Sequence, residues 1–294
     1  KCDNEELKEA FNETAQSLNV SGEIIEKDFW VCSVLKELFS IESLKNSLTF
    51  KGGTSLSKIY KTISRFSEDI DVSIDRKFLG FKGEKEPFNA PSNKKAKKLI
   101  EELRKECGEY VEKSFLNILQ SEFKKYFNDH DEWKLEIETK SFYVRKVVKI
   151  EIGAKSDHWP TSMRPIKSYA AEKFSALDHD QDVEIRVLNS ERTFWEKATI
   201  LHKYAHFPEG KIVPARQSRH YYDFYCLLDT DAKSRALANL DLLKKVTQHK
   251  QLFFRSGWAS YDTAKKGTFR AIPEKRVLDA MKKDYAAMSE MFFG

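Results

Sequence analysis

No run of about 18 apolar residues occurs in the 294-residue chain, so no membrane-spanning helix is expected. The opening stretch KCDNEELKEAFNE is charged and lacks the apolar core of a secretory signal. Cysteine is scarce. Cys2, Cys32, Cys107 and Cys226 include no CxxC pair, which argues against a zinc site or a disulfide framework and fits a reducing, cytoplasmic setting. Cys32 and Cys226 sit among apolar residues and read as core thiols. A GxxxxGK[ST] loop, a dinucleotide fingerprint, a nucleophile elbow and the kinase set are all missing. There is no internal repeat and no low-complexity tract. His202 and His206 have the i, i+4 spacing of zinc ligands, but without HExxH or a third ligand they read as packing histidines. The net charge of +5 permits a polyanionic partner without demanding one.

What is present is an ordinary mixture, 40% hydrophobic, 33% charged and 13% aromatic, enough for a sizeable core. Leu7, Ala10, Phe11, Thr14 and Leu18 recur at helical spacing, and EKDFWVCSVLKELF (26–39) carries a broad apolar face. LTFKGG then reads as a short strand entering a glycine turn. Leu56, Ile59, Tyr60, Ile63 and Phe66 continue as a helical stripe. DIDVSID alternates strictly, with Ile70, Val72 and Ile74 on one face and Asp69, Asp71, Ser73 and Asp75 on the other. The stretch 76–105 holds ten Lys/Arg against four Glu. Helix is expected over 109–127, and strands in KLEIET and YVRKVVKIEIGAKSD. SYAAEKFSALDHDQD reads as loop or edge structure. From residue 191 onward ERTFWEKATILHKYAHF, RHYYDFYCLL, LDLLKKVTQH and EKRVLDAMKKDYAAMSEMFF are helical. A boundary near residue 190 therefore separates an α/β part (1–190) from a helical part (191–294).

The stretch 51–75, KGGTSLSKIYKTISRFSEDIDVSID, concentrates the chemistry. Asp69 and Asp71, two apart on a strand, share one face and can hold one ion. Carboxylate oxygens suit Mg²⁺ (or Mn²⁺), which takes few protein ligands and keeps room for phosphates. A third acid from a neighbouring strand could complete a two-metal site, and Glu151, opposite in phase to Ile150 and Ile152, is the candidate. The same alternation also suits the solvated face of an edge strand. Gly52 and Gly53 let backbone N–H groups approach an anion, Thr54 and Ser55 add hydroxyl donors, and the helix behind presents its positive end. A plain turn with a helix cap is the alternative. Lys197 lies beside the buried stripe of its helix, from where it can reach a triphosphate as a point charge. Asp223 follows Arg219 at i+4, so the two can pair along a helix. The basic stretch 76–105 could lie on an RNA backbone or be solvated surface.

FKGGTSLSKIY…RFSEDIDVSI resembles the AbiEii/AbiGii toxin family of the DNA polymerase β-like nucleotidyltransferase superfamily. EKDFWVCSVLKELF resembles the helix ahead of that family's glycine turn. RTFWEKATILH resembles the helix with its nucleotide-binding lysine, and SRHYYDFYCL its R-[DH]-x-x-D stretch. The resemblance spans about Glu26 to Leu228 and says little of the last 60 residues. It implies an α+β fold: a polymerase β-like core of mixed sheet and flanking helices, with a mostly helical C-terminal half that completes the nucleotide site. It implies Asp69, Asp71 and Glu151 as catalytic metal ligands. Gly52, Gly53, Thr54, Ser55, Lys58, Lys197 and Asp223 would contact the nucleotide. The implied activity moves NMP from an NTP to an acceptor hydroxyl, RNA and specifically a tRNA 3′ end in some relatives. The implied role is the toxin of a toxin–antitoxin or phage-defence pair with a cognate antitoxin. Transfer to a protein hydroxyl, or nucleotide binding without turnover, are the rival readings.

Overall fold

A computed structural model describes residues 4–67, 69–124, 148–177 and 183–288. Lys1–Ile59 and Glu68–Val187 form one compact unit, and Tyr60–Ser67 with Leu188–Phe293 form a second. The first unit thus runs to Val187, and the short segment 60–67 belongs with the helical unit.

The first unit is built on a five-stranded sheet. In chain order the strands are β1 (Leu48–Lys51), β2 (Asp69–Ile74), β3 (Lys149–Gly153), β4 (Thr161–Pro165) and β5 (Glu184–Leu188), and their spatial order is β3-β2-β1-β5-β4. β1 runs antiparallel to β2 and parallel to β5, while β2 and β3 are parallel, so the sheet is mixed. The alternation of β2 decides its orientation: Ile70, Val72 and Ile74 are fully buried with Leu48 and Phe50 of β1. Each such side chain contributes about 1.5–3 kcal/mol of burial, so a one-residue slip of register would be prohibitive.

Helices flank this sheet: α1 (Asn4–Leu18), α2 (Gly22–Ser40), α3 (Gly52–Lys58), α4 (Asn93–Tyr110), α5 (Leu116–Phe123) and α6 (Tyr169–Lys173). Ala10, Phe11 and Ala15 of α1 pack with Ile25 of α2 and Ala170 and Ala171 of α6. The expected loop at SYAAEK is thus partly helix. Ser168 accepts a hydrogen bond from the Ala171 N–H, an N-cap that starts α6. On α4 the basic stretch forms an i, i+4 ladder, Lys97–Glu101 and Lys98–Glu102 each at 3.8 Å, which is a solvated helix face. The expected strand KLEIET lies outside the described residues.

The stripe expected to run from Leu56 to Phe66 stops early. α3 ends at Lys58, and Lys61 has φ of +47°, a left-handed conformation that breaks a helix. Segment 60–67 is irregular and is tied into the second unit instead. The Tyr60 hydroxyl donates to the Leu188 carbonyl at 3.0 Å, and the Ser64 N–H donates to the Tyr222 hydroxyl at 3.2 Å.

The second unit contains α7 (Ser190–Ala205), α8 (Ser218–Leu228), α9 (Asp231–Ala238), α10 (Leu240–Phe253) and α11 (Lys275–Ala286). α7 buries Phe194, Trp195, Ala198 and Leu201, and the Trp195 indole donates to the Ala236 carbonyl of α9. Tyr204 of α7 packs on Val277 and Met281 of α11. His202 accepts the Arg270 N–H on Nδ1 at 3.0 Å, which leaves Nε2–H to donate to the Ser260 carbonyl at 2.9 Å. It is a packing histidine held neutral by burial.

Candidate functional site

In the first unit, register sets the site. Lys51 of β1 faces Asp71 of β2, and Asp71 faces Glu151 of β3, so three ionic side chains form one row across the sheet. Asp69 stands two residues along the same face, beside Lys149. Gly52 follows Lys51 directly and has φ of +85°. A Cβ there would stand 2.7 Å from Cγ and 2.9 Å from Cβ of Asp71, and nearer still to Oδ2. The bend and the Asp71 carboxylate therefore occupy one place. The glycine serves this close approach as well as the turn.

The hydroxyls of the bend are already used. Thr54 Oγ1 donates to the Asp69 carbonyl at 2.6 Å, tying α3 to β2, and Ser55 Oγ donates to the Gly52 carbonyl at 2.8 Å. Both residues are buried. What the bend can offer an anion is backbone N–H rather than hydroxyl. Lys58 also departs from expectation. Its Nζ lies 2.8 Å from Asp28 Oδ1 and 3.4 Å from the centre of the Tyr169 ring. The Tyr169 N–H donates to Asp28 Oδ2 at 2.7 Å. This buried ion pair clamps α2, α3 and α6 together, which commits Lys58 to holding the bend. Burial pushes the Asp28 carboxyl up, against the pull of Lys58.

The carboxylates do not gather as a three-ligand cluster. Glu151 is turned to Lys149, at 2.5 Å, and Asp71 Oδ1 has Lys51 Nζ at 3.7 Å. Among the described residues no group of three or more His, Cys, Asp or Glu is arranged to hold a metal. Two carboxylates on one strand face remain, a set that fits a hard cation completed by water and phosphate oxygens.

Behind the row lies a buried polar floor. His158 meets Thr49 Oγ1 with Nδ1 at 2.6 Å and Ser73 Oγ with Nε2 at 3.1 Å. Ser73 in turn donates to the Gly153 carbonyl at 3.1 Å. Thr49 and Ser73 face each other in register, one step inward from Lys51 and Asp71. Burial lowers the His158 pKa, so the floor is neutral beneath the charged row. His158 carries no local motif, and nothing in the sequence singled it out.

The second unit holds its own cluster. Asp223 accepts two hydrogen bonds from Arg65, Nε to Oδ1 at 2.8 Å and Nη2 to Oδ2 at 2.9 Å, and a third from Lys197 at 2.6 Å. The expected Arg219–Asp223 pair is not what Asp223 makes. Both its oxygens are taken, and Arg219 Nε is buried without a hydrogen-bond partner. Burial opposes ionisation of Asp223, but Lys197 and Arg65 outweigh it and hold the carboxyl down at about 2. Burial pushes the Lys197 ammonium down, and Asp223 only partly offsets this. Lys197 Nζ also lies 3.2 Å from His220 Nδ1, which must therefore accept. Burial, then Lys197 and Arg219, keep His220 neutral, well below the usual histidine range. Lys197 and Arg65 hold one carboxylate between them, and Arg219 lies near enough to push Lys197 and His220 down, an excess of positive charge suited to a polyphosphate. Arg65 and His220 were not among the expected site residues. Arg65 lies 158 residues from its partner, beyond the reach of spacing arguments.

No helix among the described residues is long and apolar enough to cross a membrane. No curated protein matches the chain. A family model described as nucleotidyl transferase AbiEii toxin, type IV TA system, matches residues 33–294. The match begins within α2, later than the resemblance read from the motifs, and takes in the last 60 residues. With sheet, acid-faced strand and helical unit on one chain, and nearly its whole length matched, this protein belongs to the AbiEii family of nucleotidyltransferase toxins of type IV toxin–antitoxin systems.

Proposed function

We propose that the protein transfers NMP from an NTP to a hydroxyl of an RNA acceptor, with release of pyrophosphate. The observation that carries this reading is the packing of the Asp71 carboxylate against Gly52, which puts an acid and the glycine bend at one point. Asp69 and Asp71 would hold Mg²⁺ or Mn²⁺, and Glu151 would join them only by leaving Lys149. Such an ion would neutralise phosphate charge and lower the pKa of the attacking hydroxyl. The backbone of Gly52 and Gly53 approaches the phosphates, while Thr54 and Ser55 hold its shape. The cluster of Lys197, Arg65 and Arg219 is, taken by itself, a polyphosphate-binding element, with Asp223 fixing Lys197. Positioning and charge neutralisation supply the rate. RNA is favoured as acceptor by the family and by the basic character of the chain; a tRNA 3′ end is the specific case to try first. A cognate antitoxin completes the system.

The test is incubation with each α-labelled NTP in turn, a divalent cation and total RNA. Label in RNA with wild type, lost with Asp71→Ala, supports the reading. Bound NTP with no transfer to RNA or to protein would leave a nucleotide-binding protein without turnover. Label found on protein instead would move the acceptor to a protein hydroxyl.

A further inference from the structure

A groove of about 340 Å³ runs along the second unit between α8 and α11. Four tyrosines line it, Tyr221, Tyr222 and Tyr225 from α8 and Tyr285 from α11, with Lys282 among them. At about 100° per residue, the three α8 tyrosines share one face with Ser218, and Arg219, His220 and Asp223 take the opposite face. The groove is therefore separate from the charged cluster. Tyr225 is 66% exposed and Tyr285 45%, values far above those of tyrosines that only fill a core. Tyr222 is anchored by the Ser64 N–H. Its ring lies 6.4 Å from that of Tyr285, with planes 35° apart. A base lying flat between two rings needs about 7 Å, twice a van der Waals contact, so a small swing of Tyr285 would admit one. The Tyr221 hydroxyl is buried with no hydrogen-bond partner.

Charge selects the occupant. Residues 60–67 and 188–293 hold 21 Lys/Arg against 12 Asp/Glu, a net of +9, although the whole chain is only +5. On α11, Asp284 accepts from the Ser218 N–H and hydroxyl and the Arg216 N–H, so its charge is spent on the start of α8. Aromatic faces set in a basic surface are how proteins hold unstacked bases of single strands.

We propose that the α8–α11 groove binds an unpaired base of single-stranded RNA, stacked between Tyr222 and Tyr285 and covered by Tyr225. This rests on the RNA-acceptor reading and gives it a docking surface.

The experiment is fluorescence anisotropy with an end-labelled single-stranded RNA octamer and a duplex of the same length, run beside the α-labelled NTP assay. The double variant Tyr225→Ala/Tyr285→Ala is expected to bind the octamer about tenfold more weakly or worse. Tyr225→Phe/Tyr285→Phe should bind as wild type does, because stacking needs the ring and not the hydroxyl. NTP binding and melting temperature should be unchanged in both. Equal octamer affinity in wild type and the alanine variant overturns the proposal, as it would if the groove took a protein segment. Equal binding of octamer and duplex by wild type also overturns it, because charge alone would then explain the affinity. If wild type labels RNA and the alanine variant labels it equally, the groove falls and the function stands. If wild type neither binds nor labels RNA, both fall.

Discussion

Gly52→Ala is the sharpest probe of the site, and Gly80→Ala is its control. Both glycines have nearly the same φ, +85° and +82°. A Cβ at Gly80 meets nothing within 4 Å, whereas one at Gly52 meets Cβ, Cγ and Oδ2 of Asp71. The left-handed conformation costs a non-glycine residue about 1–2 kcal/mol, and this applies to both variants. Only Gly52→Ala must also displace Asp71. A forced rotamer costs about 0.5–1.5 kcal/mol, and the clash with Asp71 Cβ cannot be relieved by rotation alone, so β2 must shift as well. Gly52→Ala should then lose about 2–3 kcal/mol, a fall in melting temperature of roughly 4–10 °C. Gly80→Ala should lose about half as much. The activity contrast is larger. A carboxylate moved by about 1 Å lowers the rate by a factor on the order of 100, so label transfer should collapse in Gly52→Ala and persist in Gly80→Ala. Adding Asp71→Ala to Gly52→Ala removes Cγ and Oδ2, and the stability losses should be less than additive. Equal melting temperatures and equal label transfer in the two glycine variants would refute the packing of Asp71 on the bend.

Three further outcomes follow from buried ionic groups. Lys58→Met leaves Asp28 buried without its partner and should cost about 3–5 kcal/mol in urea unfolding, while Asp28→Asn/Lys58→Met should recover much of it; equal losses in single and double variants would contradict the clamp. Asp223 has its folded pKa depressed from 3.8 to about 2, so its stabilisation is full above pH 4 and fades as pH falls towards 2. About 1 kcal/mol of that should be gone by pH 3, a slope absent from Asp223→Asn, whose stability is lower throughout. His220 has a folded pKa below 6.5, so the unfolded chain takes the proton first and stability falls as pH drops below that value. Wild type should lose about 1 kcal/mol more than His220→Asn between pH 7.5 and 5.5; matching slopes would mean that His220 is already charged in the fold.

What could be read in advance rests on apolar spacing that the fold buries: Ile70, Val72 and Ile74 of β2 are all in the core, as are Phe194, Ala198 and Leu201 of α7. The polar face was less legible, since Thr49 and Ser73 are buried as well. β4 and β5 were not foreseen. TSMRP is flanked by proline and has no alternation to detect, and EIRVL is too short to stand out beside the helix that follows. The stripe Leu56–Phe66 failed for the opposite reason. Its spacing is helical, but Lys61 turns left-handed and three long-range contacts hold the segment out of a helix, so tertiary bonds overrode local pattern.

The site divides along the same line. Asp69, Asp71 and Gly52 are local in sequence, and alternation alone puts both acids on one face a short return from the bend. Lys58 was equally visible and was assigned to phosphate, because its partner Asp28 is 30 residues away and looked like one more polar position on a helix. Arg65 was invisible for the same reason. The cost of leaving a buried charge unmatched is several kcal/mol, so a lysine 3% exposed must have found its carboxylate inside the protein. The consequence is specific: the cation that shapes the bend and the cations that would meet a polyphosphate are different residues. Replacing Lys58 should therefore lower stability and label transfer together. Replacing Arg219, whose Nε has no partner to lose, should lower nucleotide affinity with little change in melting temperature. A melting temperature that falls as far for Arg219→Met as for Lys58→Met would erase that distinction.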